Sequence, residues 1–265
     1  MQNQPQPEPK VTVFVMSYNE ARQIRQVMET IKWADEIVLL DSFSTDGTVE
    51  IAREYGAKIV SEKFCGFGRL RNLALAASSN DWMVSIDSDE RCTPKFAAEV
   101  REIVCNPRHD AYFVPRLNYF LDRPMRYCGM YPDYRQPQLF DRRKFRYRED
   151  LVHEGFICEG TVGYCMNPIT QLPFPTLAVM MAKNERYTTL MAKRRFDDHR
   201  RAGLATMLFS PMAAFLKKYF IQQGFREGIY GFVFATLHAY YTFLKYAKLW
   251  ELGRQETAIK TKTPA

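Results

Sequence analysis

The 265-residue sequence has no C-x-x-C pair, no G-x-G-x-x-G after its first apolar run and no G-x-x-x-x-G-K-[ST] anywhere. The two missing glycine signatures count against a dinucleotide oxidoreductase and a P-loop ATPase, since neither backbone cradle for a pyrophosphate is written into the chain. Its six cysteines (Cys65, Cys92, Cys105, Cys128, Cys158, Cys165) lie scattered through a chain too large to need disulfide staples, which predicts reduced, cytosolic thiols. Acidic charge is in deficit: 30 Asp and Glu face 37 Lys and Arg, a net +7. That excess favours an anionic partner, whether nucleotide, nucleic acid or acidic membrane surface. Met1 to Lys10 is polar and proline-rich without an apolar core, which predicts a disordered tail (1–10) rather than a signal peptide or membrane anchor. The hydrophobic content, 46%, is ample for one large domain with a helical appendage.

The first half of the chain alternates between strand and helix patterns. Val11 to Met16, Glu36 to Leu40, Ala57 to Val60 and Trp82 to Ile86 are apolar or β-branched runs suited to strands, the first of them buried on both faces. Between them lie helical stretches to about Trp33, to Gly56 at a left-handed C′ position, and from about Arg69 to Ala77. Gly66-Phe67-Gly68 reads as a loop. Pro94 to Val104 predicts a further helix and Tyr112 to Leu117 a strand. This rhythm predicts an α/β, doubly wound, mostly parallel sheet over 11–176, binding ligands beyond the carboxyl ends of its strands.

Three strands end in polar tips at that edge: Ser17-Tyr18-Asn19, Asp41, and Asp87-Ser88-Asp89-Glu90. Crowding carboxylates at the end of a buried strand is costly unless a cation sits there. Asp87 and Asp89, on one face of an extended chain, offer hard oxygens suited to Mg²⁺ or Mn²⁺, and such an ion would neutralise a diphosphate. The alternative is a solvated acidic turn, with Asp89 or Glu90 capping the helix that Thr93-Pro94 announces.

Four ordered motifs, Val-x-Val-x-Met-Ser-Tyr-Asn-Glu, Asp-Ser-x-Ser-Thr-Asp-Gly-Thr, Gly-x-x-Arg-Asn-x-Ala and Asp-Ser-Asp-Glu-Arg, resemble the nucleotide-sugar domain of the inverting family-2 glycosyltransferases. Within that family the resemblance is closest to the bacterial lipopolysaccharide-core glucosyltransferase branch, and it runs from about Val11 to Glu154. It implies a GT-A fold with a C-terminal helical extension. It further implies that Tyr18 stacks on a nucleobase, Asp41 bonds the base edge, Arg71 approaches base or diphosphate, Asp87 touches the ribose, and Asp89 holds the metal. A His-Glu pair, here His153-Glu154, stands where the branch keeps its catalytic base. Inverting transfer needs one carboxylate to take the proton from the attacking hydroxyl, and Glu154 is the candidate, with His153 orienting it or approaching the metal. The chain departs from the branch at Tyr131, Gln138 and Gln171, where a Trp, an Arg and a His are common.

Asn118 to Arg148 interleaves aromatics with arginines, a composition suited to sugar faces and phosphates more than to a nucleic acid, whose backbone an acidic site would repel. From Leu177 onward (177–265) the pattern is helical. Lys183 to Arg201 is basic with Tyr187, Leu190 and Met191 at helical spacing; Phe209, Met212, Ala213, Leu216 and Tyr219 or Phe220 form an apolar stripe; Gly228 to Leu244 carries no charge. That last run falls short of the ~20 apolar residues of a spanning helix, so the region is expected to lie on an anionic membrane surface, or else to pack as a lid or dimer face. Together these features predict a cytoplasmic, peripheral glycosyltransferase acting on the inner face of the membrane. It would move a sugar, glucose from UDP-glucose by resemblance, onto a lipid-linked saccharide such as lipopolysaccharide core. Nucleotidyl transfer and a noncatalytic membrane or nucleic-acid adaptor are the alternatives.

Overall fold

The computed structural model describes residues 8–149 and 155–262. The chain divides into two compact units, one of residues up to Leu117 with Asp133–Gln171, the other of Asn118–Pro132 with Leu172 onward.

In the first unit the strands are β1 (Val11–Ser17), β2 (Glu36–Asp41), β3 (Lys58–Ser61), β4 (Trp82–Asp87), the two-residue β5 (Glu90–Arg91) and β6 (Ala111–Phe113). A strand β7 (Arg116–Phe120) leads into the second unit, where Arg123–Pro124 (β8) pairs back on it, Tyr119 facing Pro124. The chain re-enters the first unit with β9 (Pro137–Asp141), β10 (Phe145–Tyr147), β11 (Phe156–Cys158), β12 (Val162–Tyr164) and β13 (Ile169–Phe174). The main sheet runs β12-β6-β9-β4-β1-β2-β3. β1 is parallel to both β2 and β4, and β2 to β3, while β9 runs against β4 and β6. The mostly parallel α/β sheet is therefore as the alternating pattern predicts, with β9 the reversed strand.

Helices α1 (Ala21–Ile31), α2 (Thr48–Glu54), α3 (Phe67–Ala77) and α4 (Pro94–Cys105) cover both faces. Val11, Val13 and Val15 of β1 pack with Ile24, Met28, Phe96 and Val100 on one side; Phe14, Val38, Leu40 and Met83 pack with Leu70, Ala74 and Leu75 of α3 on the other. Burial on both faces is why β1 reads as a continuous apolar run instead of alternating. Gly56, at φ +72°, follows α2 as the left-handed C′ residue.

Three local expectations are corrected. Val114-Pro115 interrupts the strand expected over Tyr112–Leu117, splitting it into β6 and β7, because proline cannot donate to a ladder. Phe67 and Gly68 open α3 instead of extending the loop, and a Cβ at Gly68 would lie 1.9 Å from the carbonyl oxygen of Arg148, so glycine admits that backbone. The acidic residues do not cap α4: Thr93 does, its hydroxyl accepting from the Phe96 N–H at 3.1 Å.

The second unit holds α5 (Leu177–Asp197), α6 (Leu204–Leu216), a π-helical turn (Lys217–Ile221), a 3₁₀ turn (Gly224–Glu227) and the 34-residue α7 (Ile229–Lys262). Of the spaced apolar positions of α5, Tyr187 and Leu190 are exposed, while Met180, Asn184, Thr188 and Ala192 form the buried face. Lys248 of α7 explains this, since its ammonium donates to the Thr188 and Thr189 hydroxyls and the Glu185 carbonyl, tying the two helices through polar groups. His238 of α7 is sandwiched between Phe234 and Tyr241. Burial, then the charges of Lys218, Lys245 and Lys217, push its pKa down to about 4. The folded state thus resists a proton that the unfolded chain takes up near pH 6.5, so stability is lost as pH falls from about 6.5 toward 4. His238→Phe should flatten this decline in thermal midpoints measured across that window.

Candidate functional site

The carboxyl ends of β1, β2 and β4 meet because these strands are adjacent and in register, Ser17 beside Asp41 and Met16 beside Asp87. The tips of β1 and β2 are stitched together. Asp41 is buried and accepts from the backbone N–H and hydroxyl of Ser44, the Ser44 hydroxyl accepts from the Asn19 backbone N–H, and the Asn19 side-chain Oδ1 accepts from the Thr45 N–H at 2.9 Å. This holds Tyr18 outward, 61% exposed, with its ring free to be covered. Ser17 contributes a buried hydroxyl without a hydrogen-bond partner.

Glu90, one residue past the Asp87-Ser88-Asp89 turn, is wholly buried. Its carboxylate accepts from the Arg116 Nε, from Gln138 Nε2 at 2.8 Å and from the Asp87 backbone N–H at 2.9 Å. Burial first, then the charge of Asp87, raise the Glu90 pKa to about 7 against the pull of Arg116. Gln138 reaches this point because β9 runs antiparallel beside β4, and the same Nε2 donates to the Ser85 carbonyl at 3.1 Å. Arg91 fastens the turn from behind, donating to the Ser88 carbonyl at 3.1 Å and to Gln26 of α1 at 3.0 Å.

Asp87 faces Arg71 of α3 at 3.5 Å, and the Arg71 guanidinium lies 5.2 Å over the ring of Tyr147. Asp89 accepts from Gln171 at 3.1 Å; Gln171 in turn accepts from Arg135, which is ion-paired with Asp133 at 2.9 Å. Arg116 and Arg71 stand against Glu90 and Asp87 as internal countercharge. Among the described residues no group of three or more His, Cys, Asp or Glu is arranged to hold a metal. Ser88 and Asp89 form a turn after β4, so Asp87 and Asp89 do not share one face of an extended chain as expected; two carboxylates still suffice for Mg²⁺, which keeps waters and takes substrate phosphates as its other ligands.

Beside the turn opens a cleft of about 380 Å³, counting its open mouth, lined by Arg71, Ser85, Asp87, Arg116, Arg135, Gln136–Gln138 and Tyr147. Its three guanidinium groups are each set against a carboxylate, Arg71 against Asp87, Arg116 against Glu90 and Arg135 against Asp133. It also presents buried atoms that lack partners among the described residues: Arg116 Nη1, Gln136 Oε1 and Gln138 Oε1. The Gln138 amide is oriented by two acceptors on its nitrogen, which leaves Oε1 to accept from a ligand. A group that both donates and accepts, as a sugar hydroxyl does, complements this set. The sequence did not single out Arg116, Arg135 or Tyr147 as site residues; the arginine–aromatic interleaving of Asn118 to Arg148 was the only signal for Arg135 and Tyr147, and Arg116 had none. That stretch does not form one patch. Arg142 donates to the carbonyls of Leu75 and Ser78, Arg143 chelates Asp141, and in the other unit Arg123 pairs with Glu227.

His153 and Glu154 lie outside the described residues. The ends of the chain on either side are held by β10 and β11, Tyr147 facing Phe156 and the Arg148 N–H donating to the Gly155 carbonyl at 2.9 Å. Tyr147, which lines the cleft, belongs to that pair.

The family model for "Glycosyl transferase family 2" matches residues 12–170. The chain is similar to the lipopolysaccharide core biosynthesis glycosyltransferase LpsC of Rhizobium meliloti, 29% identical over 264 residues that cover 92% of this chain and 93% of the relative. It is 25% identical, over 93% of its length and 88% of the relative's, to an uncharacterized glycosyltransferase of Rickettsia bellii. Among solved structures, glucosyl-3-phosphoglycerate synthase of Mycobacterium tuberculosis matches with a TM-score of 0.36 and 28% identity, over 42% of this chain and 44% of that one.

Proposed function

As the chain belongs to glycosyl transferase family 2, we propose that it is an inverting, metal-dependent hexosyltransferase that moves a sugar, glucose from UDP-glucose, onto a lipid-linked saccharide of the lipopolysaccharide core. The observation that carries this reading is the juxtaposition of the Asp87-Ser88-Asp89 turn with a cleft of three arginines and unsatisfied hydrogen-bonding atoms. With the family established, sugar transfer replaces the nucleotidyl-transfer and adaptor alternatives.

In this reading the exposed ring of Tyr18 stacks on the base, the remaining acceptor capacity of Asp41 meets the base edge, and Asp87 takes the ribose. Asp89, with Asp87, would hold Mg²⁺ or Mn²⁺, and the ion would supply charge neutralisation to the diphosphate. Arg71 is set on the ring of Tyr147 and offers a guanidinium toward the same diphosphate or the base. Gln138 and Arg116, fixed by Glu90, meet sugar hydroxyls in the cleft. Glu154 takes the proton of the acceptor hydroxyl, with His153 orienting it. The net charge of +7 and the likeness to a lipopolysaccharide-core enzyme support a peripheral position on the anionic inner face of the cytoplasmic membrane, where such an acceptor is built.

Asp89→Asn tests the metal assignment, because the amide carbonyl still accepts from Gln171 while the ligand charge is gone. Wild-type chain titrated with UDP and UDP-glucose should bind far more tightly with Mn²⁺ than with chelator, and the variant should lose that dependence while keeping its thermal midpoint. A ligand at one hundred times its Kd adds about 2.7 kcal/mol of stability, so thermal shift resolves the difference. Unchanged Mn²⁺-dependent binding in the variant would remove Asp89 from the metal site.

A further inference from the structure

Helix α6 is amphipathic in the wrong sense for a helix facing water. None of its thirteen residues is buried, and none is charged. Its most exposed side chains are Leu204, Leu208, Phe209, Met212 and Leu216, with Ala205 and Ala213 between them. At 100° per residue these occupy about half of the helix circumference, and that half contains no polar residue. The polar side chains Thr206 and Ser210 sit instead among the half-buried positions. Further exposed hydrophobes follow in the turns after the helix, Phe220, Ile221, Phe225 and Ile229, the last 73% exposed. A patch of this extent exceeds the scattered hydrophobes of an ordinary soluble surface and marks a place where water is displaced.

The occupant is indicated by charge and length. Arg200 precedes the patch, and Lys217 and Arg226 border its far end, all three exposed. An apolar face with cationic borders matches an anionic bilayer surface, acyl chains meeting the leucines and phenylalanines while phosphates meet the rim. A second copy of the chain fits less well, because an isologous contact would bring identical cationic rims together. Thirteen residues rise about 20 Å, short of the ~30 Å hydrocarbon core, and no helix among the described residues is long and apolar enough to cross a membrane.

We propose that α6 and the turns after it embed flat in the headgroup–acyl boundary of an anionic membrane, as the apolar wedge by which this chain is held there. The inference rests on the membrane-surface reading given above and deepens it. Attachment comes from this uncharged face, and the basic residues at its rim select the lipid charge.

Flotation of the full chain with phosphatidylcholine vesicles and with vesicles containing phosphatidylglycerol tests this. The wild type should float with the anionic vesicles and keep part of its binding at high salt, where charge attraction is screened. Leu208→Asp/Met212→Asp should lower binding at least about tenfold without lowering the thermal midpoint, since both side chains are exposed and aspartate there costs only the lipid contact. Lys217→Gln/Arg226→Gln should reduce the preference for anionic over neutral vesicles while the fold is kept. Equal flotation of the wild type and the aspartate variant would overturn the wedge and leave another surface to bind lipid. A wild type that floats with neither vesicle would overturn the membrane-surface reading beneath it. A concentration-dependent dimer that the aspartates dissociate, without flotation, would assign the face to a second copy.

Discussion

Glu154→Gln should lower turnover by roughly 10²–10⁴-fold while leaving the affinity for a nucleotide sugar nearly unchanged. Displacement at the anomeric carbon with inversion brings the acceptor hydroxyl to the face opposite the departing diphosphate, and that hydroxyl becomes a competent nucleophile only as it gives up its proton. Glutamine has the size of glutamate but accepts no proton at working pH, so the substitution removes the base and little else. Glu154 lies outside the described residues, so its assignment rests on the family resemblance and on this measurement. Single-turnover rates with saturating donor and acceptor, beside calorimetric donor affinities, separate the proton-transfer defect from a binding defect. A normal rate would move the base elsewhere, with Asp133 and Asp150 the next carboxylates to substitute.

Arg116→Met should destabilise the protein by about 3–5 kcal/mol, the usual cost of removing one partner from a buried ion pair. Arg116 and Glu90 are both buried, and methionine fills much of the arginine stem's volume, so the loss falls on the stranded carboxylate rather than on packing. The effect should depend on pH in a defined direction. Glu90 already titrates near 7, and losing Arg116 removes the contact that holds its pKa down. A carboxyl whose folded pKa lies above its unfolded value favours folding at low pH and loses that contribution as pH rises through the folded value. The variant should therefore be closest to wild type near pH 5 and furthest from it near pH 8, in urea midpoints measured across that range. Combining it with Glu90→Gln should recover much of the loss, because the buried charge is then gone from both sides. A constant deficit at every pH, or no recovery in the double variant, would show that the guanidinium's packing and not its charge stabilises the turn.

The strand–helix alternation was legible because burial on both faces leaves a continuous apolar run and because Gly56 and Pro94 punctuate the helices. Polar tips at the sheet's ligand edge followed from the parallel order, since Asp41 and Asp87 each end a strand beside β1. On α5 periodicity finds the faces of the helix but not which of them is covered, and Lys248, some sixty residues on, holds Thr188 on the buried one. On α6 the same ambiguity is why the apolar face could not be assigned to core, lid or lipid before its exposure was known.

By itself the sequence determined the α/β class, the strand–helix order from β1 to α4 and the residues at those strand ends, because these follow from continuous apolar runs, the 3.6-residue helix period and local turn chemistry. Which groups satisfy those strand ends was decided only in three dimensions. Glu90 meets Arg116 across 26 residues, Gln138 meets Glu90 across 48, and Asp89 meets Gln171 across 82. Side-chain identities along one stretch hold no record of such distances. A carboxylate in an acidic turn reads the same whether it faces water or a buried guanidinium, and only the packing of β9 and β13 beside β4 and β5 removes the water and makes the difference.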